Sequence, residues 1–154
     1  MSITGDYIND LLYRDDEWLF EYGKEGESYT DIDFSVPWVE NYLQNTNQKS
    51  LYCCLYYKPT EQALWVYGAV NTLIIEAHLT ISEKIKSYVL QLIDKSGPDV
   101  TINNLPDIGE KMTFPNNEVF NGNQAVAVLS SFHTDKSIPE TVTLLEKSYL
   151  FPCN

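Results

Sequence analysis

Positive charge is scarce in this sequence. Ten Lys and Arg stand against twenty-two Asp and Glu, for a net charge of −12. A basic stripe able to follow a phosphate backbone is missing, so direct nucleic-acid binding is not expected. Anionic membrane surfaces are disfavoured for the same reason. Long apolar runs are also missing. The longest candidate, Ala63 to Leu79, is broken by Tyr67, Gly68, Asn71, Thr72, Glu76 and His78, and no transmembrane helix is expected from it. The opening residues MSITGDYIND hold neither a basic region nor an apolar core, so they do not read as a secretory signal.

Cysteine is sparse and odd in number: Cys53, Cys54 and Cys153. Adjacent residues of a strand point to opposite faces, so Cys53 and Cys54 are not expected to bridge each other. A secreted disulfide framework does not fit, and the expected setting is reducing and cytoplasmic. Buried cysteine behaves as a small hydrophobe. Histidine is scarcer still, with His78 and His133, and the set fits no zinc spacing. Asp31 and Asp33 are spaced like the start of a calcium loop. The sixth place is Val36 where glycine is needed, and the twelfth is Tyr42 rather than Glu. The glycine-rich dinucleotide and phosphate loops and the nucleophile elbow are absent. No metal or cofactor is expected.

What the chain does have is an acidic stretch, DYINDLLYRDDEWLFEYGKEGESYTDIDFSVPWVE, from Asp6 to Glu40. Residues 1–40 carry eleven carboxylates against Arg14 and Lys24, a balance of −9 out of −12. Trp18, Phe20, Tyr22, Tyr29, Phe34 and Trp38 are interleaved with those acids. Disordered acidic tails are poor in aromatics, so this stretch is expected to fold while presenting negative charge. Such a field attracts a basic partner and speeds the encounter.

At 154 residues, 44% hydrophobic and 13% aromatic, the chain suits one globular domain over residues 1–154. Helical spacing of Ile8, Leu11 and Leu12 predicts a short helix over Asp6–Tyr13. Trp18 to Tyr22 suits a strand or a helix end, Gly23 and Gly26 bracket a turn, and Tyr29 to Phe34 alternates like a half-buried strand. Pro37 sits in the first turn of a second predicted helix. Leu51 to Lys58 reads as a buried strand, Pro59 to Gln62 as a turn, and Ala63–Tyr67 and Asn71–Leu79 as two strands about Gly68.

Ser82 to Lys95 reads as the clearest helix. Ser82 serves as N-cap, Ile85, Tyr88, Val89, Leu92 and Ile93 form a stripe, and Gly97-Pro98 ends it. Val100 to Asn104 suits an edge strand, and Leu105 to Asn117 reads mostly as loop. Asn121-Gly122 predicts a tight hairpin turn, with Gln124 to Phe132 as the returning strand. Thr141 to Leu150 reads as a final strand or short helix. The expected class is α+β, a mainly antiparallel sheet with two or three helices packed on it.

Two chemistries suit these residues. Glu76 and His78 lie two apart and share a face if they are in a strand, so a small hydrolase using a carboxylate and His78 is one alternative. The other is recognition. Clustered acids with interleaved Trp and Tyr are what interface hot spots need, and the candidate partner-binding residues are Asp15, Asp16, Glu17, Trp18, Glu21, Tyr22, Tyr29, Asp31 and Asp33. The acids would stand in for phosphates, and Trp18, Tyr22 and Tyr29 would be the desolvated anchors. An acidic adaptor subunit is a further alternative.

In size, charge, cysteine usage and its Asp15–Asp33 segment bearing Trp18, Tyr22 and Tyr29, the chain resembles the small acidic immunity proteins of bacterial toxin systems. These guard against contact-dependent growth-inhibition or polymorphic toxins. The resemblance implies an inhibitor without catalysis. It would bind a cognate toxin protein with a basic surface, often a nuclease, and occlude its active site.

Overall fold

The computed structural model describes residues 17–24, 27–31, 51–69, 71–105 and 109–150. The helices predicted over Asp6–Tyr13 and from Pro37, together with Cys153, lie outside them. Strand β1 (Trp18–Lys24) opens the described fold, followed by β2 (Glu27–Asp31), β3 (Leu51–Tyr57), β4 (Gln62–Ala69), β5 (Thr72–Ile81) and β6 (Lys84–Leu92). Then come β7 (Val100–Leu105), β8 (Gly109–Phe114), helix α1 (Gly122–Asp135) and β9 (Val142–Leu145). Seven strands form one antiparallel sheet in the order β2-β1-β3-β4-β5-β6-β9, and β7 pairs with β8 in a separate hairpin. The mainly antiparallel α+β expectation holds. Among the described residues there is one α-helix rather than two or three.

The sheet is apolar on both sides because both sides are covered. Leu73, Ile75 and Ala77 of β5 pack with Leu64 and Val66 of β4 against Ala125, Val128, Leu129 and Phe132 of α1. The alternate residues Ile74 and Tyr67 pack instead against Ile102 of β7 and Phe114 of β8. A strand buried on both faces loses the in–out alternation of a half-exposed one. Each fully buried large side chain of this kind contributes about 1.5–3 kcal/mol. Cys53 and Cys54 are both buried and free, as their adjacency in β3 required.

The helix expected over Ser82–Lys95 is a strand. β5 and β6 form a hairpin in which Ile81 faces Lys84. Ser82 and Glu83 turn the chain at φ 50° and 66°, the left-handed pair that a two-residue hairpin loop needs. Leu90 and Leu92 face α1 while Val89 points to the opposite side. Apolar residues on both faces of a strand imitate a helical stripe, which is how the pattern misled.

The hairpin expected at Asn121-Gly122 is a helix start. The Asn121 side chain accepts from the Gln124 N–H, and the Gln124 side chain accepts from the Asn121 N–H, both at 2.8 Å. This reciprocal capping box satisfies two donors that a helix end leaves free. Ala125, Val128, Leu129 and Phe132 then fall on one face, and no returning strand forms. Gly122 donates to Asn71 Oδ1 at 3.1 Å, tying the helix start to the β4–β5 turn. The loop expected over Leu105–Asn117 contains β8, because β7 needs a partner for its backbone. The strand expectations at β1, β3, β4, β5 and β7 hold.

Candidate functional site

The acidic stretch enters the described fold as the hairpin β1–β2. Strand β1 is held by its apolar side chains: Trp18 is 6% exposed and Phe20 2%. The Trp18 ring lies 5.5 Å from Phe132 of α1 in an edge-on arrangement and 4.6 Å from Tyr57. Register pairs Tyr22 with Tyr29 and Phe20 with Asp31. β2 is therefore the outermost of the seven strands at this end of the sheet.

Of the nine sequence-proposed contact residues, Asp15, Asp16 and Asp33 lie outside the described residues. Tyr22, Tyr29 and Asp31 are placed by backbone register alone. Glu17 is exposed and Glu21 half-buried. Trp18 is corrected: its ring is in the core under α1, so it anchors the hairpin rather than presenting itself to a partner. Trp18 and Glu21 also face opposite sides of β1, so the structure does not bring them onto one surface. On the side away from α1, Glu21 Oε1 accepts the Tyr52 hydroxyl. Cys54, its cross-strand neighbour, has its thiol pKa raised by burial first, then by Cys53 and Glu21.

A second constellation was not read as such from the sequence. Glu76 and Glu118 are both fully buried. Glu76 Oε2 accepts from the Tyr67 hydroxyl and from the N–H groups of Tyr149 at 3.1 Å and Leu150 at 3.2 Å. Its Oε1 accepts from Ser148 Oγ at 2.5 Å. Glu118 accepts from Tyr149 Oη at 2.5 Å and Gln91 Nε2 at 3.0 Å, and pairs with Lys147 Nζ at 2.8 Å. Residues 147–150, just beyond β9, thus lie over the sheet face that carries Tyr67, beside Phe114 of β8. The Tyr149 ring stands edge-on to Phe114 at 4.8 Å.

Burial first, then Glu76, pushes the Tyr67 phenol up. Tyr149 is raised by burial and by its bond to Glu118. For Lys147 burial acts to lower the pKa, but the bonds to Glu118 and Tyr149 outweigh it and the net shift is upward. The signal in the sequence was an acid set inside an apolar run, Glu76 between Leu73 and Leu79. Its neighbour His78 drew the pairing instead. His78 is half-buried, with its pKa lowered by burial and pulled back less strongly by Glu76. Its ring lies 5.9 Å from Trp65.

A cleft of about 730 Å³ lies between α1 and the end of β6, with Leu92, Val128, Pro139 and Lys95 among its walls. Lys95 Nζ is tied to the Val119 carbonyl at 2.5 Å. Among the described residues no three His, Cys, Asp or Glu are grouped to hold a metal. Among them, too, no helix is long and apolar enough to cross a membrane. No protein-family model matches the chain, and no curated protein matches it in sequence.

Proposed function

We propose that this chain is an immunity-type inhibitor that binds a cognate toxin domain through the acidic hairpin end of its sheet. The observation that carries the reading is the way the acids are mounted. Glu21, Glu27 and Asp31 lie on the paired strands β1 and β2, and Trp18 and Phe20 of β1 are locked in the core. A fixed anionic surface gains more on binding than a flexible tail, because less ordering entropy is lost. Carboxylates on such a mount suit the basic cleft of a nuclease, where they replace phosphates.

Glu76, the acid that a hydrolase reading would pair with His78, has its lone pairs engaged by Tyr67, Ser148 and the backbone of Tyr149 and Leu150. That occupancy fits a structural carboxylate better than a general acid or base.

The test is protection. The domain encoded directly upstream in the native genome is expressed in a host with and without this chain. Growth arrest by that domain, relieved by co-expression and accompanied by a stable complex of the two purified proteins, is the expected result. A harmless upstream product, or arrest that this chain leaves untouched, sinks the reading and favours the acidic adaptor.

A further inference from the structure

We propose that β9 is a self-pairing edge, where a second copy of this chain extends the sheet antiparallel about a two-fold axis at Leu144. The contact is separate from the acidic hairpin and does not rest on the inhibitor reading. Among the described residues no strand lies on the outer side of β9. Its sequence, Val142-Thr143-Leu144-Leu145, holds neither proline nor charge, the usual guards of a sheet edge. Leu144 is 38% exposed and Leu145 42%. Glu146, next in line, is paired with Lys86 at 3.5 Å, so its charge is answered within the chain.

The ladder fixes which backbone groups are open. Ile93 N–H donates to the Thr141 carbonyl at 3.1 Å, continuing the register that pairs Gln91 with Thr143 and Val89 with Leu145. Antiparallel positions alternate between bonded and unbonded pairs. Thr141, Thr143 and Leu145 therefore turn their backbone groups to β6, and Val142 and Leu144 turn theirs outward. The Val142 N–H bends back to the Pro139 carbonyl at 3.2 Å, so Val142 offers its carbonyl alone and Leu144 offers both groups. A two-fold through Leu144 suits this pattern. Each Leu144 N–H meets the other copy's Leu144 carbonyl, and each Glu146 N–H meets the other's Val142 carbonyl. The Val142 N–H, already bonded, is not called on. Leu144 lies beside its own copy on the α1 side of the sheet, and Leu145 faces the copy's Thr143 on the other side. A strand without charge offers nothing to a basic partner, whereas a second copy brings the same spacing of donors, acceptors and leucines. Four residues make a contact well below the roughly 800 Å² per partner of a standard interface, so the pairing belongs at high protein concentration. Two copies of net charge −12 repel. Salt should therefore strengthen this contact, while it weakens the binding of a cationic protein.

Sedimentation equilibrium of the full chain, over about 0.01–1 mM at low and high salt, reads the dimer. In NMR the amide signals of Leu144 and Glu146 should shift with concentration while those of Tyr29 and Asp31 in β2 stay fixed. Leu144→Pro removes an outward N–H and no bond to β6. It should keep the monomer folded by circular dichroism and weaken the dimer roughly tenfold. Leu144→Lys and Leu144→Glu each place like charges on the axis and should also weaken it. An equimolar mixture of those two should restore pairing, because opposite charges then meet. The charged variants carry the test if Leu144→Pro does not fold. The proposal is overturned if the chain stays monomeric over the whole range, or if salt weakens the dimer. It is equally overturned if the β2 amides shift instead, or if the variants at position 144 pair as the wild type does.

Discussion

Tyr67 directs its hydroxyl at a carboxylate that no solvent reaches, and the balance of that contact can be read by removing it. Tyr67→Phe keeps the ring in its apolar cluster but leaves a buried acceptor one donor short. It should cost about 1–3 kcal/mol in urea unfolding. His78 gives a pH-dependent counterpart. Its folded pKa lies below the ordinary value of 6.5, so the unfolded chain takes the proton more readily. The stability tied to neutral His78 is complete above that value and drains away as the pH falls below it. Wild type should therefore lose stability relative to His78→Asn on acidification through this window; a constant difference between the two would contradict the assignment. Cys53, its pKa pushed up to about 12 by burial, should resist thiol reagents in the folded protein and react once denaturant is added, measured in a Cys153→Ser background. Glu76 was legible as an odd residue in an apolar strand. Its true partners were not, because Ser148, Tyr149 and Leu150 are more than seventy positions away and no local spacing announces them.

Among the elements, the β5–β6 turn decides more than its two residues suggest. Ser82 and Glu83 both sit at positive φ, where neither side chain is at ease. Replacing them by Asn and Gly, which tolerate that region, should stabilise the fold by about 0.5–1 kcal/mol in thermal or urea unfolding. Were Ser82 a helix cap, the same change would be neutral or harmful. Gly68 is the opposite case. At φ 137° an added Cβ would stand 2.3 Å from the Thr72 carbonyl oxygen, so Gly68→Ala should lower stability by roughly 1–3 kcal/mol. The central strands β3, β4 and β5 were legible because short apolar-aromatic runs were separated by Pro59 and Gly68. β6 and α1 were exchanged in kind for a physical reason. Apolar residues on both faces of β6 mimic a helical stripe. Asn121-Gly122 serves either a tight turn or a helix cap, and Gln124 three residues after the cap is the mark that decides. β8 escaped because Lys111 and Thr113 are exposed and Met112 is only half-buried beside the buried Phe114, which leaves little pattern to read.

At the scale of the whole sheet, the two edges lie far apart. Hairpin β1–β2 stands at one edge and β9 at the other, separated by strand steps of about 4.8 Å that total roughly 29 Å. That is several screening lengths at physiological salt, where the field of exposed charges decays within about 8 Å. A partner meeting the β2 edge would therefore feel its charges independently of the far edge, where Lys86 pairs with Glu146 at 3.5 Å. Two aspartates bracket the end of β2 in sequence: Asp31, paired with Phe20 of β1, and Asp33, two residues further on. Asp31→Lys combined with Asp33→Lys reverses the charge at this end of the chain's β2 segment. Association with the upstream-encoded domain, followed by stopped flow, should slow several-fold at low salt. In high salt the wild-type and variant rates should converge, because long-range attraction is screened. Dissociation should change less, since it answers to desolvated anchors rather than to rim charge. A rate unchanged at low salt, or slowed equally at both salts, means that the partner does not approach this end of the sheet.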